Sequence, residues 1–270
     1  MPAAALALAL GSAVLHAAWN LLLARARDVQ AATAAMFLLS VALAAPFAAA
    51  WWSARPSVWP YALASTLLES VYVVALAAAY RMTELSIVYP LSRGLAPVLT
   101  LAAAVAILGH SASGVEVAGV LLVGLGVVLV PGARGRGDVR ALLAVAAIAA
   151  SIAAYTLVDR AGIHRAGALT YFVLVLVGPS LVYPPLVGAR AIRVEIVRAA
   201  VWVASVANIG SFALGLLALR RGAAAPVLAV RSTSIVIATL LARRLLDEDV
   251  GVERAIGSVL VFAGVVLLAF

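Results

Sequence analysis

The chain has 270 residues, of which 66% are hydrophobic and 11% are charged, and its mean hydropathy is +1.16. Soluble domains are about 45–50% apolar and about 25% charged, so this composition excludes a soluble globular protein. It also excludes a disordered chain, which would be polar and rich in charge. There is no cysteine, which excludes thiolate metal sites. The composition therefore predicts an integral membrane protein.

The net charge of +8 comes from arginine alone, because the chain has no lysine. The arginines are spread over the short connections and form no basic stripe, so they do not predict binding to nucleic acid. In a membrane protein, such residues set the topology instead.

Apolar segments long enough to cross a bilayer occur along the whole chain, since a spanning helix needs about 20 residues. Their continuous Ala, Leu and Val runs exclude a barrel, whose strands would alternate polar and apolar residues. No connection is long enough for a soluble domain. We predict ten transmembrane helices: Ala3–Ala24, Ala31–Trp52, Val58–Tyr80, Leu85–Leu108, Gly114–Pro131, Val139–Val158, Gly167–Gly188, Val197–Leu219, Ala223–Leu245 and Val250–Phe270.

The two halves of the chain correspond at an offset of 138 residues. This offset aligns Arg93 with Arg231, and it aligns two glycines of the fifth span, 119 and 126, with two of the tenth, 257 and 264. Each half holds five spans, and an odd number makes the second half enter the membrane in the opposite sense. The all-α fold is thus predicted to comprise two inverted five-helix repeats, 1–135 and 136–270, around a central cavity.

The arginines of the connections are unevenly divided between the two sides. Five lie on the side of the N-terminus and twelve on the opposite side. Because positive residues concentrate in the cytoplasm, the count places both termini outside the cytoplasm, with the protein in the plasma (inner) membrane.

Three charged residues stand out because they lie two or more turns inside the predicted spans, away from the span ends: Glu69, Arg93 and Arg231. A charge at the centre of a spanning helix costs about 2.5–3.5 kcal/mol on insertion scales and usually marks a functional site. The alternatives are a structural ion pair or an arginine reaching the interface. Glu69 is too short to reach it from mid-span, so it is the candidate for binding a substrate amine or carrying a coupling proton.

Smaller polar and aromatic residues recur at helical spacing on the same spans. Each alone is also consistent with a simple hydrogen bond between helices. Together they predict a polar cavity whose substrate-binding candidates, besides the three charged residues, are His16, Trp19, Asn20, Tyr72, Tyr89, Tyr155 and Asn208.

Motifs of catalytic and cofactor sites are not found in the sequence. The three histidines lack the His-Glu-x-x-His spacing, the glycine-rich segment 132–137 lacks the Gly-Lys-Ser/Thr of a phosphate loop, and no nucleophile has a matching base. We therefore expect no metal, no cofactor and no enzymatic activity.

Three segments resemble the drug/metabolite transporter superfamily, of the EamA type: HAAWNLLLARARD at 16–28, YRMTELSIVYPLSRGLAPVLTL at 80–101 and AAYTLVDRAG at 153–162. The resemblance extends over essentially the whole chain. It implies a ten-helix secondary transporter with a cavity between its repeats, often an exporter of amino acids, other metabolites or toxic compounds. It also implies cytoplasmic termini, against the arginine count.

The resulting expectation is a transporter that exports a small polar solute, amino-acid-like or carboxylate-bearing, by alternating access. Two alternatives remain open: extrusion of lipophilic cations or drugs by proton antiport, and a scaffold or lipid scramblase that transports no solute. The expected partners are the solute, the lipid bilayer and a coupling proton, but no nucleic acid, and the expected state is a monomer or homodimer.

Overall fold

The computed structural model of the protein describes residues 1–82, 85–129, 139–237 and 252–269, and almost all of them are helical. Short 3₁₀ turns occupy Pro56–Val58 and Ile163–Arg165. The α-helices, in chain order, are α1 (Ala3–Ala24), α2 (Val29–Ala50), α3 (Trp59–Met82), α4 (Leu85–Leu108), α5 (Gly114–Leu129), α6 (Val139–Gly162), α7 (Ala168–Val187), α8 (Ala189–Glu195), α9 (Ala199–Leu219), α10 (Ala224–Ser232) and α11 (Val252–Ala269).

The predicted spans agree closely with these helices, and α1 and α4 have the predicted bounds. Two differences matter. Helix α6 does not end at Val158 but continues to Gly162, and the expected connection before α9 contains the short helix α8. Helix α10 turns at Thr233 and remains helical to Ile237; the rest of the predicted ninth span lies outside the described residues.

Seven helices of the described part are long and apolar enough to cross a membrane, and three shorter apolar helices accompany them: Gly114–Leu129, Ala224–Ile237 and Ile256–Leu268. Large apolar side chains such as Ile107, Leu67 and Phe262 are more than half exposed. An exposed surface of this kind fits lipid rather than water. The chain is an integral membrane protein with an all-helical fold.

Helix ends are set by local chemistry. The Asp28 carboxylate caps α2 by accepting a hydrogen bond from the amide of Ala31 at 3.0 Å, as N-cap residues do. Gly109, with φ of 66°, ends α4, and Gly188, with φ of 101°, separates α7 from α8. A side chain is strained in this left-handed region, so glycine lets the chain leave each helix sharply.

Small residues allow the helices to approach closely. A Cβ added at Gly126 of α5 would lie 2.6 Å from the carbonyl oxygen of Gly257 in α11, and one added at Gly264 would lie 2.7 Å from that of Gly119. Close packing through glycine is common in membrane helices, where no hydrophobic effect drives association. The α5–α11 interface thus depends on the four glycines that the repeat offset aligns. Other extensive interfaces join α1 with α9, α3 with α6 and α7, α2 with α7, and α4 with α6.

One end of the bundle, here called the N-terminal face, is tied together by main-chain hydrogen bonds. It contains Met1, whose amino group donates to the carbonyl of Leu268 at 2.9 Å, and the connections after α2, α4, α6 and α9. The α2–α3 and α6–α7 connections form an antiparallel bridge between Ala54 and Ala166. Beside it, the amide of Gly167 donates to the carbonyl of Ser53 at 2.9 Å.

We expect Gly126→Ala to destabilise the protein, because its new methyl group would meet backbone atoms that cannot move aside. Overpacking of this kind costs about 1–3 kcal/mol. The matched control is Gly114→Ala at the start of the same helix, where a Cβ would meet nothing within 4 Å. Thermal unfolding in detergent, followed by tryptophan fluorescence, should show a lower Tm for Gly126→Ala only. Equal Tm values would contradict this account of the interface.

Candidate functional site

Charged side chains from four helices converge inside the bundle. Glu69 of α3, Arg93 of α4 and Asp159 of α6 are all at most 6% exposed, and Arg231 reaches them from α10. Glu69 interacts electrostatically with the other three. His16 of α1 and Tyr155 of α6, both also buried, interact with the two arginines. We call these six residues the polar cluster.

Arg231 is positioned by helices α1 and α9. Its Nε donates to Ser12 Oγ at 3.0 Å, and Ser12 Oγ donates to the carbonyl of Ser211 at 2.6 Å. The guanidinium lies over Gly215, where a Cβ would come within 2.7 Å of Cζ. The absence of a side chain at Gly215 therefore leaves the space that this cation occupies.

Arg93 belongs to α4, which packs against the helix that carries Arg231. Helices α4 and α10 are in contact, and Ser232 Oγ donates to the Arg93 carbonyl at 3.2 Å. The two arginines that the repeat offset aligns are thus brought to the same region by packed helices.

Glu69 Oε1 is buried and, within the described residues, accepts no hydrogen bond. Buried polar atoms are nearly always satisfied, so an exception calls for a functional reason. A carboxylate oxygen left open beside two arginines can accept a proton or the cationic group of a ligand.

A cavity of about 330 Å³ lies beside the cluster, between α1, α2, α3 and α7. We call it the aromatic cavity, because Trp19, Phe37, Tyr72 and Tyr183 form much of its wall. Asn20 also lines it, and its amide donates to the main-chain carbonyl of His16 at 2.7 Å. The remaining lining residues are Leu23, Ala24, Val29, Thr33, Val73 and Leu76.

Two aromatic contacts connect the aromatic cavity with the polar cluster. The rings of His16 and Trp19 meet edge to face with centroids 4.7 Å apart, and those of Tyr72 and Tyr155 do so at 6.2 Å. A solute in the cavity would therefore be separated from the polar cluster by a single aromatic side chain.

The structure brings together most, but not all, of the predicted binding residues. His16, Glu69, Arg93, Tyr155 and Arg231 belong to the polar cluster, and the aromatic cavity contains the candidates Trp19, Asn20 and Tyr72.

Asn208 belongs to a different network, in which its amide donates to Ser40 Oγ at 3.2 Å and joins α9 to α2. Tyr89 lies in α4, but its side chain is outside the described part of the structure.

Asp159 was not among the predicted residues, because the sixth span was expected to end one residue earlier. Its Oδ1 accepts hydrogen bonds from Ser65 Oγ at 2.5 Å and from the Tyr171 hydroxyl at 3.1 Å. The next residue, Arg160, donates from Nε to the carbonyl of Gly222 at 2.9 Å. These contacts satisfy the two charged residues and let α6 continue. In the sequence, Asp159 lies four residues from Tyr155 and within AAYTLVDRAG at 153–162, one of the segments that carry the family resemblance.

Comparison with known proteins supports the resemblance seen in the sequence. Residues 3–131 match the model of the EamA-like transporter family. Of the solved structures, 28 chains match. One is a crystal structure of a protein with 18% sequence identity and a TM-score of 0.75, and the alignment covers 99% of this chain and 96% of that one. At this identity the likeness shows the fold alone. No curated protein matches the sequence.

We expect Ser12→Ala to destabilise the protein more than Ser40→Ala. Both serines are fully buried and contact α9, but Ser12 also accepts a hydrogen bond from the partly buried cation Arg231. Hydrogen bonds to charged groups contribute about 1.5–3 kcal/mol, against about 0.5–1.5 kcal/mol for neutral ones. Denaturant unfolding of both variants in detergent measures the difference. Equal losses would mean that Ser12 does not hold Arg231.

Proposed function

Since residues 3–131 match the model of the EamA-like transporter family, we propose that the chain is a secondary active transporter for a small polar organic solute with a carboxylate group. Transport proceeds by alternating access, in the direction of export. Amino-acid-like solutes fit best, because they carry both an anionic and a cationic group.

The observation that carries this proposal is the convergence of Arg93, Arg231 and Glu69 beside the aromatic cavity. Guanidinium groups bind carboxylates with paired, directional hydrogen bonds. The open Oε1 of Glu69 can accept a hydrogen bond from an ammonium group or hold a proton. A cavity of about 330 Å³ is in the range of small-molecule sites.

Alternating access follows from the inverted repeat, which several contacts support. At the offset of 138, α1 corresponds to α6 and α3 to α9, and the structure pairs α1 with α9 and α6 with α3. Likewise Gly119 packs on Gly264 and Gly126 on Gly257. Equivalent residues exchange partners in this way about a twofold axis. The proposed boundary, between 135 and 136, lies outside the described residues.

We expect Arg231→Gln to reduce transport of a carboxylate-bearing solute by about tenfold or more, because one charge-assisted hydrogen bond contributes at least 1.5 kcal/mol. Counterflow in proteoliposomes, screened with labelled amino acids and dicarboxylates, measures this loss.

We expect Glu69→Gln to retain counterflow but to lose the transport that a pH gradient drives. The control is Glu116→Gln, whose carboxylate pairs with His110 at the N-terminal face. Normal, gradient-driven transport by Glu69→Gln would remove Glu69 from the mechanism.

A second candidate function is extrusion of lipophilic cations in exchange for protons. The rings of the aromatic cavity favour it, since aromatic faces attract cations. Glu69 would then bind the cation, and the arginines would be structural. Saturable flux of tetraphenylphosphonium without flux of amino acids would favour this function. A protein without saturable flux of any solute would instead be a scaffold or lipid scramblase.

On the arginine count, we propose that the N-terminal face and both termini lie outside the cytoplasm. Main-chain hydrogen bonds close this face between the α2–α3 and α6–α7 connections, so alternating access requires them to separate.

We expect a Ser53→Cys/Gly167→Cys double variant to lock the N-terminal face by a disulfide. A Cβ at Gly167 would lie 3.6 Å from that of Ser53, within the range of disulfides, and the chain has no other cysteine. Oxidation should stop transport, and a reducing agent should restore it. The two single variants are the controls for the cross-link. A separate experiment, labelling of Ser53→Cys in intact cells by an impermeant maleimide, tests the orientation. Undiminished flux of the cross-linked protein would contradict movement at this face.

A further inference from the structure

We propose that Asp159 and Glu69 form a proton-sharing pair connected by Ser65, and that this pair, rather than Glu69 alone, is the site of the coupling proton. The inference rests on the proposed transport function for its role, although the pair itself can be tested without any solute.

The hydrogen bonds of Asp159 suit either protonation state. The carboxylate is 2% exposed, and its Oδ1 accepts from two hydroxyl groups, those of Ser65 and Tyr171. Within the described residues it forms no ion pair. A hydroxyl group is both a donor and an acceptor, so it can donate to an ionised carboxylate and accept from a protonated one after rotating. An arginine partner would hold the group permanently ionised, and these partners do not.

Ser65 contacts one of the acids and shares a helix face with the other. It is one turn from Glu69 on α3, so the two side chains share a face of that helix, and its hydroxyl is 2.5 Å from Asp159 on α6. Glu69 and Asp159 interact electrostatically. Two carboxylates that interact in a weakly polarisable interior resist ionising together, and their protons then belong to the pair.

The surrounding groups define the electrostatic environment of Asp159. The groups that interact with one or both acids are Arg93 on α4, Tyr155 on its own helix, Tyr171 on α7 and Arg231 on α10. Farther out, Tyr72 on α3 interacts with Tyr155, and His16 on α1 interacts with the two arginines. Two cations thus accompany two acids. When a cationic group of the solute binds at Glu69, a proton shared by the two acids becomes unfavourable and is released.

The order in which a proton reaches the two acids follows from their positions. Glu69 is near the middle of α3, whereas Asp159 is three residues from the end of α6 at the N-terminal face. Ser65 precedes Glu69 by four residues, or about 6 Å along the helix at 1.5 Å per residue. A proton that enters from the N-terminal face therefore reaches Asp159 before Glu69.

The test is a pH titration of the full-length protein in lipid nanodiscs, followed by the infrared carbonyl band of protonated carboxyl groups with isotope-labelled aspartate. We expect Asp159→Asn to remove one band and to shift the titration midpoint of Glu69 by about one pH unit or more. Glu69→Gln should shift the midpoint of Asp159 reciprocally. Ser65→Ala and Tyr171→Phe should change the frequency of the Asp159 band, which reads the site if Asp159→Asn does not fold.

The matched control is Asp28→Asn, an exposed N-cap residue at which asparagine serves equally well; it should leave the bands and midpoints of Asp159 and Glu69 unchanged. An unchanged Glu69 midpoint in Asp159→Asn, or an Asp159 band that does not respond to Ser65→Ala, would overturn the pair.

Flux measurements separate this inference from the function on which it rests. In proteoliposomes Asp159→Asn should retain counterflow of an amino acid but lose accumulation driven by a pH gradient. Full gradient-driven accumulation by this variant would overturn the role of Asp159 while leaving the transport function intact. Absence of saturable flux in the unsubstituted protein would refute the transport function, and the infrared result would still decide whether the pair exists.

Discussion

Mutual compensation of buried charge is the constraint on which this structure depends. Glu69, Arg93, Asp159 and Arg231 lie inside a bundle whose outer surface is apolar, where an isolated charge is strongly unfavourable. They belong to four different helices, so compensation requires α3, α4, α6 and α10 to remain together. In the proposed transport function, a solute or proton that adds a charge alters this balance and changes which arrangement of helices is most stable. Binding and movement are then coupled by electrostatics.

Hydroxyl groups hold two of the charged residues, which leaves these residues able to interact with an additional ion. Arg231 is held by the Ser12 hydroxyl and Asp159 by the hydroxyls of Ser65 and Tyr171. The described side-chain ion pairs, His110 with Glu116 and Arg198 with Glu195, lie instead at helix ends. A closed ion pair in the interior would be hard to open, because separating it leaves a bare charge. Hydroxyl partners can reorient at little cost, which suits groups that exchange ligands.

Hydropathy predicted most of the described helices, since a bilayer demands long apolar runs, and intramembrane charge selected Glu69, Arg93 and Arg231, which the structure brings together. Asp159 was missed because a sequence window treats an acid followed by an arginine as a connection, whereas partners on α3 and α7 extend α6 past it. Helical periodicity identified Asn208 as lying on a polar face but could not specify its neighbour, Ser40. Contacts between helices determine both the end of α6 and the partner of Asn208. The residues next to each position in the sequence do not reveal such contacts.

The two halves share a scaffold but differ in their chemistry, which bears on how the protein could move. The offset of 138 preserves the two arginines and the packing glycines, whereas it aligns Glu69 with Ala207 and Asp159 with Leu21. In the proposed inverted repeat, the α3–α6 interface therefore contains both acids, and its counterpart between α1 and α9 contains the Ser12–Ser211 hydrogen bonds. A symmetric scaffold gives inward-open and outward-open states similar packing energies. Placing both acids in one interface makes the difference between those states depend on protonation.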